Sequence, residues 1–339
     1  MTHTESSSTT KSDEVDFPTI FNPETCVRKG LCPVTILRGQ GEDPLESHSL
    51  YYEQHGDGPT KIIFIMGLNS SAFSWWPQIA HFGSKEGYSA LAFDNRGVGN
   101  SGTPRGPYST SGMAEDAIVL LNYLGWTEKR SVHVVGVSLG GMIAQELAYR
   151  IPERIVSLTL AVTTPGGRPW SNLPPWKGFS TLARLLTVAD PEVKIPMIHD
   201  MIFSDFWLDE KDEDDTEGRT NGELMTIDYR RRIEITKPQT IVGTLSQMAA
   251  GMSHHVTGDR LSKISASIPK VLIVTGDDDA LVPPKNSLIL KKNMPEAEYV
   301  QWEKCGHALH VQYRKRFNAL VERVIDEGKK NLEASQDQW

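Results

Sequence analysis

Ser131-Val132-His133-Val134-Val135-Gly136-Val137-Ser138-Leu139-Gly140-Gly141-Met142-Ile143-Ala144-Gln145 passes from an apolar strand into a helix with almost no loop between. Met142, Ile143, Glu146, Leu147 and Arg150 fall at helical spacing, the apolar ones on one face. The switch falls at Gly136-x-Ser138-x-Gly140. A serine on so sharp a turn is held in a strained conformation with its hydroxyl clear of the sheet edge. The flanking glycines are required because a Cβ there would strike the neighbouring strand or helix. The free N–H groups and positive dipole end of the helix point at the place where a negative oxygen would develop. A bare Gly-x-Ser-x-Gly is common by chance and reads equally well as a tight turn with an incidental serine. The strand before it and the helix after it favour the functional reading.

On the N-terminal side, strands are expected at about 34–37 and 48–54, then at Ile62–Met66, an uninterrupted apolar run. Such a run marks a strand buried on both faces, hence a parallel sheet covered by helices. It enters Gly67-Leu68-Asn69-Ser70-Ser71. A further strand at Tyr88–Phe93 ends in Asp94-Asn95-Arg96-Gly97-Val98-Gly99-Asn100-Ser101-Gly102. Gly97-x-Gly99-x-x-Gly102 fits a dinucleotide pattern, but that use needs a helix opening at once. The loop residues Thr103-Pro104-Arg105-Gly106-Pro107 follow instead, with a helix only at about 111–124. No nucleotide site is expected there.

On the C-terminal side a strand is expected at Ile155–Val162. The alternation of strands and helices implies an open α/β sheet with right-handed crossovers. Between Thr164 and Ala266 strand-like runs give way to helical ones near 179–186, 192–202, 224–235 and 239–252. This insertion is placed to act as a lid over the strand ends. The acidic run Asp209–Asp215 within it reads as a solvated loop. Trp170, Trp176, Phe203 and Trp207 are the lid residues expected to touch a substrate. With Phe206 and several methionines they would form an inner face, most of it the lid's own core. The sheet resumes at Val271–Thr275, followed by Gly276-Asp277-Asp278-Asp279, a helix near 286–292, a strand near 298–302, Cys305-Gly306-His307 and a helix at about 313–327.

The expected organisation is a disordered tail at 1–25, an α/β core at 26–163 and 267–328, a helical lid at 164–266 and a polar tail at 329–339. The 339 residues suffice for one large core. A formal charge of −8 without a basic stripe argues against nucleic acid or an anionic membrane as partner. Cys26, Cys32 and Cys305 lack metal-ligand spacing, and their odd number suggests no disulfide framework. No apolar run approaches the ~20 residues of a membrane span. The polar start of the chain lacks signal- and transit-peptide patterns, so a cytoplasmic location is expected.

A serine hydroxyl needs an adjacent base, and the base an orienting carboxylate. In a parallel sheet the C-terminal strand ends share one edge, where distant residues meet. Ser138, the acids at 277–279 and His307 all follow such ends, in the order Ser…Asp…His of the elbow-type hydrolases. Asp279 is the preferred acid, three residues after Gly276, with Asp277 and Asp278 left as turn and surface groups. The preceding strand ends in Val162-Thr163-Thr164, with no carboxylate. His307 is preferred over His310, His254 and His255 because it lies in a small-residue loop after a strand. His307-x-x-His310 lacks the glutamate and spacing of a zinc-protease motif, so no metal is expected. The oxyanion donors would be the backbone N–H groups of Leu68 and Leu139.

From Ser49 to Glu327 the chain resembles the α/β-hydrolase superfamily, in its lid-bearing esterase and lipase-like branch. The resemblance rests on Gly67-Leu68, Asp94-x-Arg96-Gly97-x-Gly99-x-Ser101, Gly136-x-Ser138-x-Gly140-Gly141, Gly276-x-x-Asp279 and Gly306-His307. Met66 departs from it, standing where that superfamily usually has histidine before the oxyanion glycine. Serine at position 138 argues against the related dehalogenases and epoxide hydrolases, which place aspartate there. The resemblance implies a mostly parallel open sheet with helices on both faces and a helical lid. It also implies a cofactor-free serine hydrolase acting on a small-molecule acyl substrate: an ester, lactone or monoacylglycerol. Thioesterase, amidase, acyltransferase and perhydrolase activities remain open, as does a small-molecule receptor that retains the triad.

Overall fold

The computed structural model describes residues 17–37 and 45–336. Strands β1 (Cys26–Leu37), β2 (Leu45–His55), β3 (Thr60–Ile65), β4 (Tyr88–Phe93), β5 (Val132–Val137), β6 (Ile155–Ala161), β7 (Lys270–Gly276) and β8 (Glu298–Trp302) form one sheet. Its order is β1-β2-β4-β3-β5-β6-β7-β8. The β1/β2 and β2/β4 pairs are antiparallel and all others parallel. Helices α1 (Trp76–Gly83), α2 (Thr110–Tyr123) and α3 (Leu139–Arg150) link the first parallel strands. Between β6 and β7 come α4 (Trp176–Leu185), α5 (Pro191–Ile202), α6 (Asp205–Asp209), α7 (Asn221–Ile235), α8 (Ile241–Ser253) and α9 (Gly258–Ser267). Helices α10 (Lys285–Asn293), α11 (Leu309–Gln312) and α12 (Arg314–Gln336) complete the chain.

Successive strand residues point to opposite faces, and in β3 both faces are apolar. Ile63 and Ile65 join a core with Leu120, Ile143 and Leu147 of α2 and α3. Ile62 and Phe64 join a second with Ile79 and Phe82 of α1 and Phe317 and Val321 of α12. The strand order reverses at β3, whose neighbours are β4 on one side and β5 on the other. In such sheets the crevice beyond the C-terminal strand ends at the reversal is where ligands bind.

Several expectations are corrected. Residues 1–16 of the expected tail lie outside the described residues, but 17–25 are ordered, with Phe17, Ile20 and Phe21 packed on the core. Phe21 is buried against the rings of His55 and Phe73. Strand β1 begins at Cys26 rather than 34, since an edge strand with Val27 and Leu31 exposed carries little apolar signal. Helix α12 runs to Gln336, into the expected polar tail. Its Gly328 packs where a Cβ would lie 3.0 Å from the Val156 carbonyl, so this glycine serves close packing and does not end the helix. Helix α9 belongs to the core, where Leu261 and Ile264 join the cluster of α3. The acidic run is not wholly solvated: Asp212 receives both Arg314 guanidinium nitrogens, at 2.8 and 3.0 Å, tying the insertion to α12.

Candidate active site

Ser138 links β5 to α3 with φ 57° and ψ −121°. A non-glycine residue at positive φ is strained and persists only where its surroundings hold it. Here the Ser138 N–H donates to the Ala161 carbonyl at 2.9 Å, and Thr163 Oγ1 donates to the Ser138 carbonyl at 2.7 Å. A Cβ at Gly136 would overlap the Gly140 carbonyl, and one at Gly140 the Ile65 carbonyl. The two glycines therefore let helix α3 start directly against β5 and β3.

The turn after β3 lies against this serine, as a Cβ at Gly67 would stand 3.1 Å from Ser138 Cβ. Both flanks of the turn are pinned. Asn95 Nδ2 donates to the Met66 carbonyl at 2.8 Å, and the Asn69 N–H donates to Gln247 Oε1 at 2.8 Å. Gln247, fully buried on α8, also donates from Nε2 to the Arg96 carbonyl at 2.8 Å. Leu68 is half-buried in this turn and Leu139 buried at the first position of α3.

Asp279 and His307 meet, with His307 Nδ1 2.9 and 2.8 Å from the two carboxylate oxygens. Oδ1 of Asp279 also accepts the N–H groups of Leu281 and Val282, each at 2.8 Å. Asp277 and Asp278 are exposed, and Asp277 accepts the Cys305 N–H at 3.1 Å. Ser138 makes no hydrogen bond to His307. In resting sites of this kind the nucleophile–base contact is often long and tightens with substrate.

Of the other histidines, His310 is fully buried against Trp75, and burial lowers its pKa to about 3. His254 is held near 4 by burial and bonds Thr110 Oγ1 at 2.9 Å. Both are neutral packing groups at neutral pH. Asp94 is buried, and burial pushes it up to about 7 against the pull of the Ala72 and Asn100 N–H donors, 2.6 and 2.7 Å away. The glycine-rich loop that follows is closed by Gly97 N–H donating to the Gly102 carbonyl at 2.9 Å, with the next helix only at Thr110. It braces the turn after β3 and offers no helix N-terminus to a phosphate.

Among the described residues one cluster has metal-ligand proximity: atoms of Cys26, Glu53 and His55 lie within 4.8 Å of one another. Its polar atoms are already engaged. His55 bonds Thr25 Oγ1 at 2.8 Å, and Glu53 accepts Tyr51 OH at 2.5 Å and Thr19 Oγ1 at 3.0 Å. His55 precedes the turn into β3, toward the edge of the sheet opposite Ser138.

The aromatic expectations divide. Phe203 and Trp207 stack at 4.8 Å and are buried with Met225 and Val311. Phe203 also lines a cavity of about 190 Å³ together with Asp279. Trp170 and Trp176 do not reach an inner face, being 67% and 78% exposed. For Trp176 the reason lies at Gly178, the buried residue of α4, where a Cβ would overlap the Ala280 carbonyl, whereas Trp170 lies in a short 3-10 turn before that helix. The helix docks through its glycine and its rings turn outward.

The fold and the strained strand–serine–helix turn define a doubly wound α/β protein with a site at the sheet's reversal. Residues 55–320 match the model of the alpha/beta hydrolase family, and the chain belongs to that family. Among curated relatives, "Putative carbamate hydrolase RutD" of Azorhizobium caulinodans is 27% identical over 275 residues, covering 80% of this chain and 93% of the relative. "Rhodomycin D methylesterase DnrP" of Streptomyces peucetius is 28% identical over 295 residues, covering 80% and 93%. Among solved structures, a thermophilic esterase from Thermogutta terrifontis superposes with a TM-score of 0.63 at 19% identity, covering 87% of this chain and 98% of that one. No helix among the described residues is long and apolar enough to cross a membrane.

Sequence reasoning missed Asn95 and Gln247. Asn95 stood inside a motif read for its glycines. Gln247 bonds a backbone group 178 residues away, a relation that leaves no periodic trace.

Proposed function

We propose that the protein is a serine hydrolase that cleaves a carboxylic ester or related acyl bond through an acyl-enzyme on Ser138. His307 Nε2 takes the Ser138 proton as Oγ attacks the carbonyl carbon. The Leu68 and Leu139 N–H groups hold the oxyanion. The imidazolium returns its proton to the leaving group, and a water deprotonated by His307 then releases the acid. Asp279 keeps the second imidazole proton on Nδ1 throughout. The observation that carries this reading is the Asp279–His307 contact at 2.8 Å, with the carboxylate fixed by two backbone N–H groups. The strained Ser138 on the same sheet edge supports it. The bonds named for two relatives, a carbamate and a methyl ester, both present a carbonyl carbon with a heteroatom leaving group. The helical insertion acts as the lid, with α8 resting on the loops after β3 and β4 through Gln247.

The test is a fluorophosphonate probe on the intact protein and on Ser138→Ala, with peptide mass spectrometry and a chain-length series of p-nitrophenyl esters. Labelling at Ser138, with turnover lost in the variant, is the expected result. Folded protein that takes no label would overturn the mechanism and leave a small-molecule receptor as the better reading.

A further inference from the structure

We infer that a polar cluster between helices α5 and α7, formed by His199, Tyr229 and Arg232, recognises an uncharged oxygen of the substrate, a hydroxyl or a ketone, away from the bond that is cut. The inference rests on the hydrolase reading above and names what that site selects. The His199 ring is only 6% exposed and meets the rings of Phe203 and Tyr229 edge-on, at 5.9 and 6.5 Å. Neither of its nitrogens has a hydrogen-bond partner among the described residues. The unpartnered nitrogens of His254 and His310 are sealed from solvent, whereas those of His199 are not. The Tyr229 hydroxyl is likewise unpartnered and unsealed. Arg232 lies over the Tyr229 ring at 5.2 Å. Its Nη1 donates to Ser74 Oγ and its Nε lies 3.0 Å from Asp228 Oδ2, so Nη2 has no partner among the described residues.

The cluster joins the two elements that carry the proposed base and the proposed oxyanion donor. Helix α5 ends on the His307 loop: the Ala308 N–H donates to the Ile202 carbonyl at 2.9 Å, and a Cβ at Gly306 would lie 2.7 Å from the same oxygen. His199 stands one turn earlier, its carbonyl accepting the Phe203 N–H at 2.9 Å. At the other end Ser74, which Arg232 reaches, lies 2.5 Å from the hydroxyl of Ser70, two residues past Leu68. His307 and Arg232 both act through their charge on the buried His310 ring, which puts them in one neighbourhood. Packing between Phe203 and Tyr229 would be served as well by an apolar ring, and a polar ring there costs stability unless something pairs it. Groups open to solvent are paired by whatever enters, and a substrate oxygen can take that place. The charge balance selects the class. Burial, and then the Arg232 charge, lowers His199 to about 4, so at neutral pH its ring offers one N–H and one lone pair. Tyr229 offers a hydroxyl that donates or accepts. The Asp228 carboxylate already balances Arg232. A substrate carboxylate would therefore add an uncompensated charge to a largely buried site, a cost that a hydroxyl or ketone does not carry.

The experiment uses two series of esters of matched size on the full chain. One is p-nitrophenyl esters whose acyl end is plain, keto, hydroxyl or carboxylate; the other is butanoate esters of alcohols varied in the same way. In one of the two series the keto or hydroxyl member should exceed the plain member in kcat/KM by about tenfold or more. Tyr229→Phe removes one oxygen and keeps the ring beneath Arg232. It should lower that ratio by about fivefold, as should His199→Phe, each confirmed folded by circular dichroism. Calorimetric binding of the same esters to Ser138→Ala, which cannot turn them over by this mechanism, should rank them in the same order whatever the labelling test shows. Equal binding of plain and oxygenated members by that folded variant would overturn the inference. So would a preference for the carboxylate member, or a preference for oxygen unchanged in both ring variants. Labelling and turnover at Ser138 without the preference would overturn this inference alone. A preference in binding by protein that takes no label would support it while overturning the hydrolase mechanism.

Discussion

Replacing Asp279 by asparagine tests the site at its most constrained point. Oδ1 of Asp279 accepts two backbone N–H groups at 2.8 Å, and Oδ2 lies 2.8 Å from His307 Nδ1. An asparagine of the same shape keeps both backbone bonds only if its oxygen occupies the Oδ1 position. Its NH2 then faces Nδ1 and donates to it. The flipped amide would leave the Leu281 and Val282 N–H groups facing a donor, at a cost of about 1–3 kcal/mol each. The unflipped form therefore dominates, and it forces the imidazole proton onto Nε2, where His307 cannot accept from Ser138. Losing the correct tautomer costs ~10⁴ in rate in a serine protease, or about 5.5 kcal/mol of transition-state stabilisation. Asp279→Asn should lower kcat on a p-nitrophenyl ester by that order and leave KM little changed. Thermal stability should hold, because volume and backbone bonds are preserved. Asp277→Asn and Asp278→Asn, both at exposed positions, should behave as the parent does. An Asp279→Asn enzyme within tenfold of the parent would refute the tautomer argument.

Gln247→Leu removes the partners of the Asn69 N–H and the Arg96 carbonyl. With one buried and one half-buried group left unpaired, stability should fall by about 1–3 kcal/mol or more, and phosphonate labelling of the still-folded fraction should slow as the turn after β3 loosens. Gly140→Ala should prevent folding or lower the melting temperature sharply, since its Cβ would overlap the Ile65 carbonyl. Acid should unfold the protein steeply. Burial lowers His133 and His310 to about 3 and His199 and His254 to about 4. Their unfolded value is near 6.5, so the unfolded chain binds more protons below that pH. Their contribution is complete above about pH 6.5 and is lost as pH falls toward 4, at up to about 1.4 kcal/mol per unit for each group. Asp94, raised to about 7 by burial, acts in the opposite direction over the same range, one group against four. A urea midpoint unchanged between about pH 7 and pH 5 would contradict this balance.

The parallel centre of the sheet was legible because strands buried on both faces are written as unbroken apolar runs. Ile62–Ile65 is of this kind, and Val132–Val137 comes close to it with His133 the one polar residue; each feeds a turn that has to be tight. The Asp279–His307 pairing was legible from topology, since chain order and strand ends limit which groups can meet. Strand β1 was half hidden because an edge strand need not be apolar on both faces. The braces of the turn after β3 were hidden more deeply. Asn95 and Gln247 act through single hydrogen bonds to backbone groups, and neither propensity nor periodicity records such bonds. Trp176 misled for a different reason. Hydrophobicity says that a ring avoids water, whereas its direction is set by whatever anchors the helix, here a glycine.

That glycine has a counterpart, and together they explain how the insertion is fixed. Helix α8 meets the core at Gly243, where a Cβ would overlap the Gly97 carbonyl, and is locked there by Gln247. On α7, Arg232 pairs with Asp228 at 3.0 Å and reaches Ser74 Oγ, adding a tie to the segment after β3. Helix α4 has Gly178 against Ala280 and the exposed Lys177–Asp200 pair to α5. Contacts that bury polar groups are costly to break, whereas exposed pairs contribute about 0–1 kcal/mol. The side of the insertion that holds the turn after β3 is therefore the firmer one. The side that carries the outward aromatic rings is held more lightly, beside the loop that presents Asp279. An insertion built this way holds the turn after β3 through buried bonds of α8 and leaves α4 with fewer of them.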